Sequence, residues 1–380
     1  MARPFEWMAG WYGLVFKEKV KRKKEKVVRR DKRLNMNYKL LGKSGLRVSE
    51  LSLGTMTFGE EWGWGANKDE SRKMFDAFAA AGGNFLDTAD GYTDGTSEKM
   101  VGEFAKSDRE RFVIATKYSF NAFKPNDPNG GGNHRKHMME SLNASLKRLG
   151  TDYVDLYWMH VWDELTPVEE VMRAFDDMVR AGKVLYIGIS DAPAWWIARA
   201  NTLAEWRDWT RFVGLQIEYS LVERTPEREL LPMAEALGLT IAAWSPLGSG
   251  LLTGKYAKGS TEEKRLDKTP QFKQLSERNM KIADTVVAIA KESGKSPAQV
   301  ALNWLRANCN VIPIIGARKF SQFDDNMKCL DWTLDARHIA RLNEVSAIEM
   351  GFPMDFIHRK TVREFLHGGM FERIQSSHCT

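Results

Sequence analysis

The chain has 380 residues, of which 43% are apolar and 28% charged, a composition typical of a globular protein rather than a disordered chain. No apolar run is long enough to cross a bilayer. The three cysteines are an odd number without metal-like spacing, which is typical of reduced thiols and predicts a cytoplasmic protein. The length allows two average domains, or one α/β barrel with extensions.

The formal net charge of +6 is concentrated at the N-terminal end. Residues 17–33 hold eleven Lys or Arg against three acidic residues, a local charge of +8, which leaves −2 for the chain from Met36 onward. We interpret residues 1–35 as a disordered basic tail, or as sequence upstream of a start at Met36. Its apolar run precedes its charges, the reverse of a secretory signal. We expect no nucleic-acid or membrane partner, although such a tail leaves both conceivable.

From Met36 onward, short apolar runs alternate with stretches of helical periodicity. A small hairpin is predicted around 42–45, followed by eight strands at 51–54, 85–86, 112–116, 154–159, 184–190, 213–218, 239–244 and 311–315. Predicted helices lie at 69–81, 97–105, 134–149, 167–181, 193–204, 228–237 and 277–308. Eight strand–helix units predict an α/β fold: a (β/α)8 TIM barrel over 36–330, an N-terminal β-hairpin, and a C-terminal helical extension (331–380) packed on the barrel. The alternative, a doubly wound sheet, lacks GxGxxG after its first strand.

Polar groups stand where the predicted strands end. These are Asp87, Lys117, His160, Ser190, Asp191, Gln216, Trp244 and Ser245. Active sites of such barrels lie at the carboxyl ends of the strands, whereas chance would scatter these residues along strands and helices. The sequence therefore predicts one site at that end of the barrel.

The stretch NFLDTADGY provides the first members of that site, since Asp87 ends a strand and Tyr92 follows five residues later. A phenol has a pKa of about 10, and a nearby ammonium lowers it. Lys117 is the candidate ammonium, Asp87 would hold it, and His160 would be a neutral donor to a carbonyl oxygen. Taken one by one, Asp87 could cap a helix, Tyr92 pack beside it, Lys117 cap its strand loop and His160 be a core histidine.

The chain resembles an aldo-keto reductase from Tyr38 to about Arg373. The matching stretches are LGKSGLRVSELSLGTMTFG, FLDTADGY, IATK, YWMH, GISD, LQIEYS, WSPLGSGLLTGKY and PIIGARKFSQFDDN. The branch it most resembles includes bacterial and fungal reductases, aryl-alcohol dehydrogenases and potassium-channel β subunits. The resemblance implies a catalytic tetrad of Asp87, Tyr92, Lys117 and His160, with Tyr92 protonating the carbonyl oxygen while hydride passes from a nicotinamide. No metal is expected, because the sequence has no ligand cluster with metal spacing.

The resemblance also implies a cofactor site. Ser190, Asp191 and Gln216 would hold the nicotinamide carboxamide and Trp244 would stack on the ring, unless Trp244 is a packed core aromatic. Most members of the family have Asn in place of Asp191, and a carboxylate accepts hydrogen bonds but cannot donate them. The remaining expected cofactor residues are Thr55, Met56, Asp87, Ser245, Pro246, Leu247, Gly248, Ser249, Lys255, Arg265, Gly316, Arg318, Gln322, Asp325 and Asn326.

Two parts of that set have their own rationale. The loop from Ser245 to Tyr256 would wrap a pyrophosphate through backbone N–H groups, although GSG is often only a turn. The segment after the last strand would hold the adenosine end, unless Asp325 and Asn326 merely cap a helix. A cation at Arg318 favours a 2′-phosphate, so NADP(H) is predicted over NAD(H).

Candidate substrate residues are the loop aromatics Trp62, Trp64, Phe120 and Trp162, which would wall a pocket for a hydrophobic carbonyl or alcohol, or else anchor their loops. The predicted function is NADPH-dependent reduction of aldehydes or ketones. The alternatives are an aryl- or sugar-alcohol dehydrogenase and a cofactor-sensing regulatory subunit like the channel β subunits, whose usual pattern has Asn where His160 stands.

Overall fold

The structure is a computed structural model that describes residues 36–256 and 275–374. The predicted basic tail, the predicted cofactor residue Arg265 and the last six residues lie outside the described part of the chain. The chain enters through an antiparallel hairpin of β1 (Tyr38–Leu40) and β2 (Arg47–Ser49), as predicted.

Eight parallel strands close into a barrel, which confirms the predicted fold. They are β3 (Ser52–Gly54), β4 (Phe85–Asp87), β5 (Val113–Tyr118), β6 (Val154–Met159), β7 (Val184–Ser190), β8 (Phe212–Glu218), β9 (Thr240–Trp244) and β10 (Val311–Ile315). Neighbours pair in chain order and β10 closes on β3. The pairs Gly54–Asp87, Lys117–Trp158, Ser190–Gln216 and Glu218–Trp244 lie in register. This register brings the polar strand ends to one rim.

Helices cover the outside of the barrel. They are α1 (Lys68–Ala80), α2 (Thr96–Ala105), α3 (Arg135–Leu149), α4 (Val168–Arg180), α5 (Ala194–Arg207), α6 (Leu230–Leu237), α7 (Glu277–Ser293), α8 (Pro297–Arg306), α9 (Phe320–Met327), α10 (Ala336–Val345), α11 (Met354–Ile357) and α12 (Lys360–His367). In α4, Val168, Val171, Met172 and Phe175 are buried at helical spacing. This apolar stripe packs on the barrel because burial removes it from water. No helix in 36–256 or 275–374 is long and apolar enough to span a membrane.

The single helix predicted over 277–308 is wrong, since the structure has two helices there. Gly294 ends α7 in the left-handed conformation (φ 63°), which glycine adopts at little cost. Ser296 then caps α8 by accepting from the backbone N–H of Gln299, and Pro297 occupies the first turn. The stop and start signals are adjacent in the sequence, and the uninterrupted apolar periodicity hid them.

The barrel interior is filled around Trp158, which is fully buried. A Cβ on Gly188 would lie 2.2 Å from this ring, and one on Gly214 would lie 2.9 Å from it. The two glycines therefore create the space that the indole occupies.

The hairpin closes the opposite, amino-terminal end of the barrel. Leu41 and Val48 pack with the barrel interior, and the Gly42 N–H donates to Thr240 Oγ1 at 2.8 Å. With that end sealed, the rim of strand carboxyl ends is the one left for chemistry.

The C-terminal extension divides into two parts. Helix α10 packs against α7, with Leu342 fully buried. Helices α11 and α12 contain no buried residue, and Phe352 and Phe365 are 87% and 90% exposed. Contacts with the rest of the fold reach Glu349, whose carbonyl accepts from Arg228 Nε at 3.0 Å and Nη2 at 2.7 Å. The proposed boundary at residue 330 stays a prediction.

Candidate active site

Lys117 stands at the centre of the polar rim, fully buried near the end of β5. Its ammonium donates to Asp87 Oδ2 at 2.6 Å, to the Thr88 carbonyl at 2.7 Å and to the Tyr92 hydroxyl at 3.2 Å. The second oxygen of Asp87 accepts from Gln216 Nε2 at 2.8 Å. The structure thus joins three of the four predicted tetrad residues through one buried cation.

The protonation states of these side chains follow from their contacts with one another. Burial opposes the charge of Lys117, but Asp87 and Tyr92 outweigh it and raise the lysine pKa above its ordinary value. Burial raises the pKa of Tyr92 as well, and Lys117 offsets this only in part. The lowering effect predicted for Lys117 is present, but burial outweighs it. The phenol keeps its proton at neutral pH.

His160 completes the group from the end of β6. Its backbone N–H donates to the Tyr118 carbonyl at 2.9 Å and to Ser119 Oγ at 3.1 Å, and its ring lies edge-on to Tyr92 with centroids 6.0 Å apart. Burial, and secondarily Lys117, lowers the His160 pKa well below its ordinary value, so the imidazole is neutral. Its buried Nδ1 has no hydrogen-bond partner within 36–256 or 275–374.

Asp191 and Trp244 form a second pair on the rim. Asp191 follows β7 in the left-handed conformation (φ 41°), and its Oδ1 accepts from the Trp244 indole N–H at 3.1 Å. Desolvation by the surrounding protein raises the pKa of Asp191 to about 6, against the opposing effects of the indole and Lys117. A carboxylate serves this indole well, because the bond needs only an acceptor at Asp191.

A cleft of about 570 Å³ opens beside this pair. Trp162 and Trp244 give it aromatic surface, and Glu164, Asp191, Glu218 and Glu223 give it carboxyl groups. It lies between the loops that follow β6, β7 and β8, next to the tetrad rather than over it. Trp244 therefore forms a wall of this cleft while half-buried against the barrel interior.

The other residues predicted to lie near the nicotinamide differ in whether their side chains already have hydrogen-bond partners. The fully buried Ser190 hydroxyl has no partner with acceptable geometry in the described residues, whereas Gln216 already donates to Asp87. Thr55 is fully buried and donates to the Asp87 carbonyl at 3.0 Å, so its side chain supports β4. Met56, the next residue, is half-buried.

The loop after β9 contains several left-handed residues. Gly248 and Gly250 have φ of 55° and 96°, and Ser245 and Ser249 are also left-handed. The Ser249 N–H donates to Ser245 Oγ at 3.1 Å. Pro246 is buried, Leu247 is half-buried against the core, and Lys255 is half-buried near the end of the loop. The N–H groups of Gly248 and Gly250 donate to the carbonyls of Ser245 and Leu247, so a bound anion would have to replace these acceptors.

The segment after β10 holds the remaining candidates. Gly316 fits tightly, since a Cβ there would lie 3.0 Å from the Gly54 carbonyl oxygen. Arg318 is half-buried and forms no ion pair with the described residues, and Gln322 is half-buried. Asp325 accepts from Gln299 at 2.8 Å and Asn326 is buried, both near the end of α9. The alternative that these two cap the start of the helix is therefore wrong.

Comparison with known proteins agrees with this geometry. The profile described as the Aldo/keto reductase family matches residues 50–347. The chain belongs to the aldo/keto reductase family. It is 38% identical over 325 residues to a norsolorinic acid reductase of Emericella nidulans, covering 83% of this chain and 82% of that protein.

Two further relatives extend the comparison. An aryl-alcohol dehydrogenase [NADP(+)] of Phanerodontia chrysosporium is 36% identical over 333 residues, 81% of this chain and 85% of that protein. An uncharacterized oxidoreductase of Bacillus subtilis is 39% identical over 330 residues, 82% of this chain and 96% of that protein. Family membership supports an oxidoreductase that uses a nicotinamide cofactor and acts on small carbonyl compounds.

The predicted substrate aromatics lie on two sides of the candidate site. Trp62 lies with its ring centroid 6.4 Å from that of Tyr92 and 5.7 Å from that of Trp64. Phe120 lies edge-on to His160 at 4.8 Å. Trp162 lies apart from these, in the cleft beside Trp244 and against Trp195 at 5.7 Å.

Sequence reasoning missed the groups that hold His160 in place. Ser119, left-handed at φ 133°, donates to Asn133 Oδ1 at 2.7 Å, and the Asn133 amide donates to the Val161 carbonyl at 2.9 Å. Asp163 accepts from the Asn133 N–H at 2.7 Å. Asn133 ends the run GGGN, and only the fold brings that run to the reductase site.

A buried charged cluster behind Lys117 was missed as well. Glu98 is fully buried and accepts from Arg148 Nε at 2.6 Å and from Thr116 Oγ1 at 2.5 Å. Asp90 lies near it, and burial together with Glu98 raises the Asp90 pKa to about 7. These residues are far apart in the sequence, so no local pattern indicates them.

Proposed function

We propose that the chain is an NADPH-dependent reductase that converts aldehydes or ketones to alcohols, with Tyr92 as the general acid. The observation that supports this most directly is the continuous contact from Asp87 through Lys117 to the Tyr92 hydroxyl, at 2.6 and 3.2 Å, beside a neutral His160. A phenol adjoining a buried ammonium can give up a proton and then be stabilised as phenolate.

In this reaction Tyr92 donates its proton to the substrate oxygen. The raised pKa of the phenol ensures that the proton is present at neutral pH before reaction. After transfer, the charge of Lys117 at 3.2 Å offsets the new phenolate, and Asp87 keeps the ammonium in position. General acid catalysis of this kind contributes about 10²- to 10⁴-fold to rate.

His160 orients the substrate oxygen. A neutral imidazole retains an N–H that can donate to a carbonyl oxygen without adding a positive charge beside Lys117. Such a donor stabilises the negative charge that develops on the oxygen, an effect worth about 10²- to 10³-fold where single donors have been removed from enzymes.

The rim also fits a nicotinamide cofactor, which when bound would supply hydride to the carbonyl carbon. The unpartnered Ser190 hydroxyl and the exposed oxygen of Asp191 would hold a carboxamide, and Trp244 would offer a flat face to the ring. The left-handed loop 245–250 would hold the pyrophosphate. Arg318, whose guanidinium has no ion pair in the described residues, would bind the 2′-phosphate that distinguishes NADP(H) from NAD(H).

Oxidation of an alcohol is the second candidate function, and Asp191 favours it. A carboxylate beside the proposed nicotinamide position would attract the positively charged oxidised ring. The same residues would then act in reverse, with the Tyr92 phenolate accepting the proton of the alcohol.

Tyr92→Phe tests the proposed acid. The variant keeps the ring and loses the hydroxyl, so we expect turnover of an aldehyde to fall about 10²- to 10⁴-fold while NADPH still binds. Tyr157→Phe is the matched control, because its hydroxyl only donates to the Met138 carbonyl at 3.3 Å. Steady-state kinetics and NADPH titration measure both. A Tyr92→Phe enzyme with more than a tenth of wild-type turnover would remove Tyr92 from the mechanism.

Arg318→Ala tests the cofactor preference. A charged hydrogen bond contributes about 1.5–3 kcal/mol, so the NADPH Kd should rise about 10- to 150-fold and the NADH Kd should stay almost unchanged. Quenching of tryptophan fluorescence on titration measures both constants. Lys319→Ala, which removes the next cation along the chain, should change neither. Equal weakening of NADPH and NADH by Arg318→Ala would contradict a role in reading the 2′-phosphate.

A further inference from the structure

The turn directly after Tyr92 has an unusual backbone. Thr93 and Asp94 both adopt the left-handed conformation, with φ of 46° and 53°, and Gly95 follows at φ 84°. Left-handed geometry is a genuine outlier for a β-branched residue such as Thr. Residues held in this region cluster at functional sites, where surrounding contacts fix them. The contacts of this turn therefore indicate which neighbouring residues it positions.

Several of those contacts lead to the loop after β3. Thr93 Oγ1 donates to the Phe58 carbonyl at 2.6 Å, and Thr96 Oγ1 donates to Glu61 Oε1 at 2.5 Å. Gly59 lies so close that a Cβ there would be 2.8 Å from the Cβ of Thr93. These two hydrogen bonds fix the turn and the loop to each other at two points.

The third point is Trp62. Its indole N–H donates to Asp94 Oδ1 at 3.3 Å, and its ring lies at 83° to that of Tyr92. Trp62 is 37% exposed, and its ring centroid lies 6.4 Å from that of Tyr92. Asp94 lies two residues after Tyr92. The same short turn therefore carries the phenol and the carboxylate that holds the Trp62 indole.

We propose that Asp94 is a positioning residue that fixes the Trp62 indole beside Tyr92 and so makes the site select flat aromatic carbonyl compounds over small aliphatic ones. This rests on the proposed reductase function. An anchored indole presents its face to a planar ligand without losing rotamer freedom on binding. An offset-stacked or edge-to-face aromatic pair strengthens binding by about 2- to 12-fold beyond the effect of the apolar area that it buries. A small aliphatic aldehyde has no ring to contact Trp62 and gains nothing from the anchor.

Two substitutions at Asp94 separate anchoring from backbone strain. Asp94→Gly removes the acceptor and fits φ 53° without cost, whereas Asp94→Asn keeps an acceptor oxygen and also tolerates the left-handed region. For Asp94→Gly we expect the KM of benzaldehyde to rise about 2- to 12-fold, with kcat within about twofold of wild type. For propanal, both constants should stay within about twofold of wild type. Asp94→Asn should restore wild-type values for both aldehydes.

Trp62→Phe completes a double-mutant cycle with Asp94→Gly. It keeps a ring and removes the N–H, so its effect and that of Asp94→Gly should not add in the double variant. Additive effects, or an equal change for benzaldehyde and propanal, would overturn the proposal.

A binding measurement makes the test independent of turnover. Calorimetric titration with benzamide, a flat carbonyl compound that is not reduced, should show Asp94→Gly binding about 2- to 12-fold more weakly than wild type and Asp94→Asn binding equally. If the wild type reduces neither aldehyde but this pattern holds, the proposed function fails and the role of Asp94 stands. If both aldehydes are reduced and benzamide affinity is unchanged by Asp94→Gly, the role of Asp94 fails alone.

Discussion

At the scale of single residues, burial decides the electrostatics of the candidate site. Desolvation raises the pKa of Tyr92 and lowers that of His160, so each stays in its uncharged form at neutral pH. Lys117 remains charged because Asp87 contacts it at 2.6 Å. The site thus holds one cation between two neutral hydrogen-bond donors, the arrangement suited to an oxygen that becomes negative.

Asp191 leads to a prediction about pH. Its pKa of about 6 means that the carboxyl is neutral below this pH and negative above it. The ratio of NADP⁺ affinity to NADPH affinity should therefore rise by about fivefold as pH increases through 6, the effect of about 1 kcal/mol between unit charges some 4 Å apart in water. Both cofactors carry the 2′-phosphate, so its own titration cancels in the ratio.

Fluorescence titration of both cofactors between pH 5 and 8 checks this prediction. In Asp191→Asn the ratio should be independent of pH, because an amide accepts from the Trp244 indole but does not titrate. A variant whose ratio still changes through pH 6 would assign the titration to another group.

At the scale of elements, the interior of the barrel depends on one large side chain and the glycines around it. Trp158 on β6 lies against β7 and β8, the next two strands of the barrel, where Gly188 and Gly214 leave room for the indole. Both glycines lie within their strands, where glycine weakens a strand unless close packing requires it. The ring explains why they are there.

Gly188→Ala should therefore destabilise the protein. The new Cβ would lie 2.2 Å from the Trp158 ring, and overpacking of a filled core costs about 1–3 kcal/mol. Gly45→Ala is the control, since no heavy atom of residues 36–256 or 275–374 lies within 4 Å of a Cβ at that exposed position. Chemical denaturation monitored by circular dichroism measures both. Equal stabilities would show that Trp158 can move aside.

At the scale of the whole molecule, the barrel is closed at one end and carries the candidate site at the other. The hairpin seals the amino-terminal end through Leu41 and Val48, and α10 packs on the outside through Leu342. Helices α11 and α12 bury no residue of their own, so they add little to the stability of this unit.

A chain ending at Met350 should keep its stability. The loss of α11 and α12 should shift Tm by less than about 3 °C, roughly what 1 kcal/mol produces in a large domain. A chain ending at Thr333 also loses α10 with its buried Leu342 and should unfold at a clearly lower temperature. Differential scanning calorimetry compares the two. A large drop for the Met350 variant would mean that the terminal helices cover apolar surface.

The sequence by itself determined the barrel and the strand-end positions of the candidate site residues. Buried parallel strands are short apolar runs on both faces, and a polar residue directly after such a run must lie on the rim. Asp87, Lys117 and His160 could therefore be placed from local pattern alone. The break between α7 and α8 was also written locally, in Gly294, Ser296 and Pro297, although it was overlooked.

Only the tertiary structure decided which of those groups touch and how they titrate. The Asp191–Trp244 and Asp94–Trp62 hydrogen bonds join residues 53 and 32 positions apart, and no periodicity encodes such pairs. The direction of the Tyr92 pKa shift depended on whether burial or Lys117 has the larger effect. How tightly the folded chain surrounds the phenol decides this. Local pattern fixes where a side chain stands on its own strand, whereas its partners and its dielectric surroundings exist only once distant segments pack together.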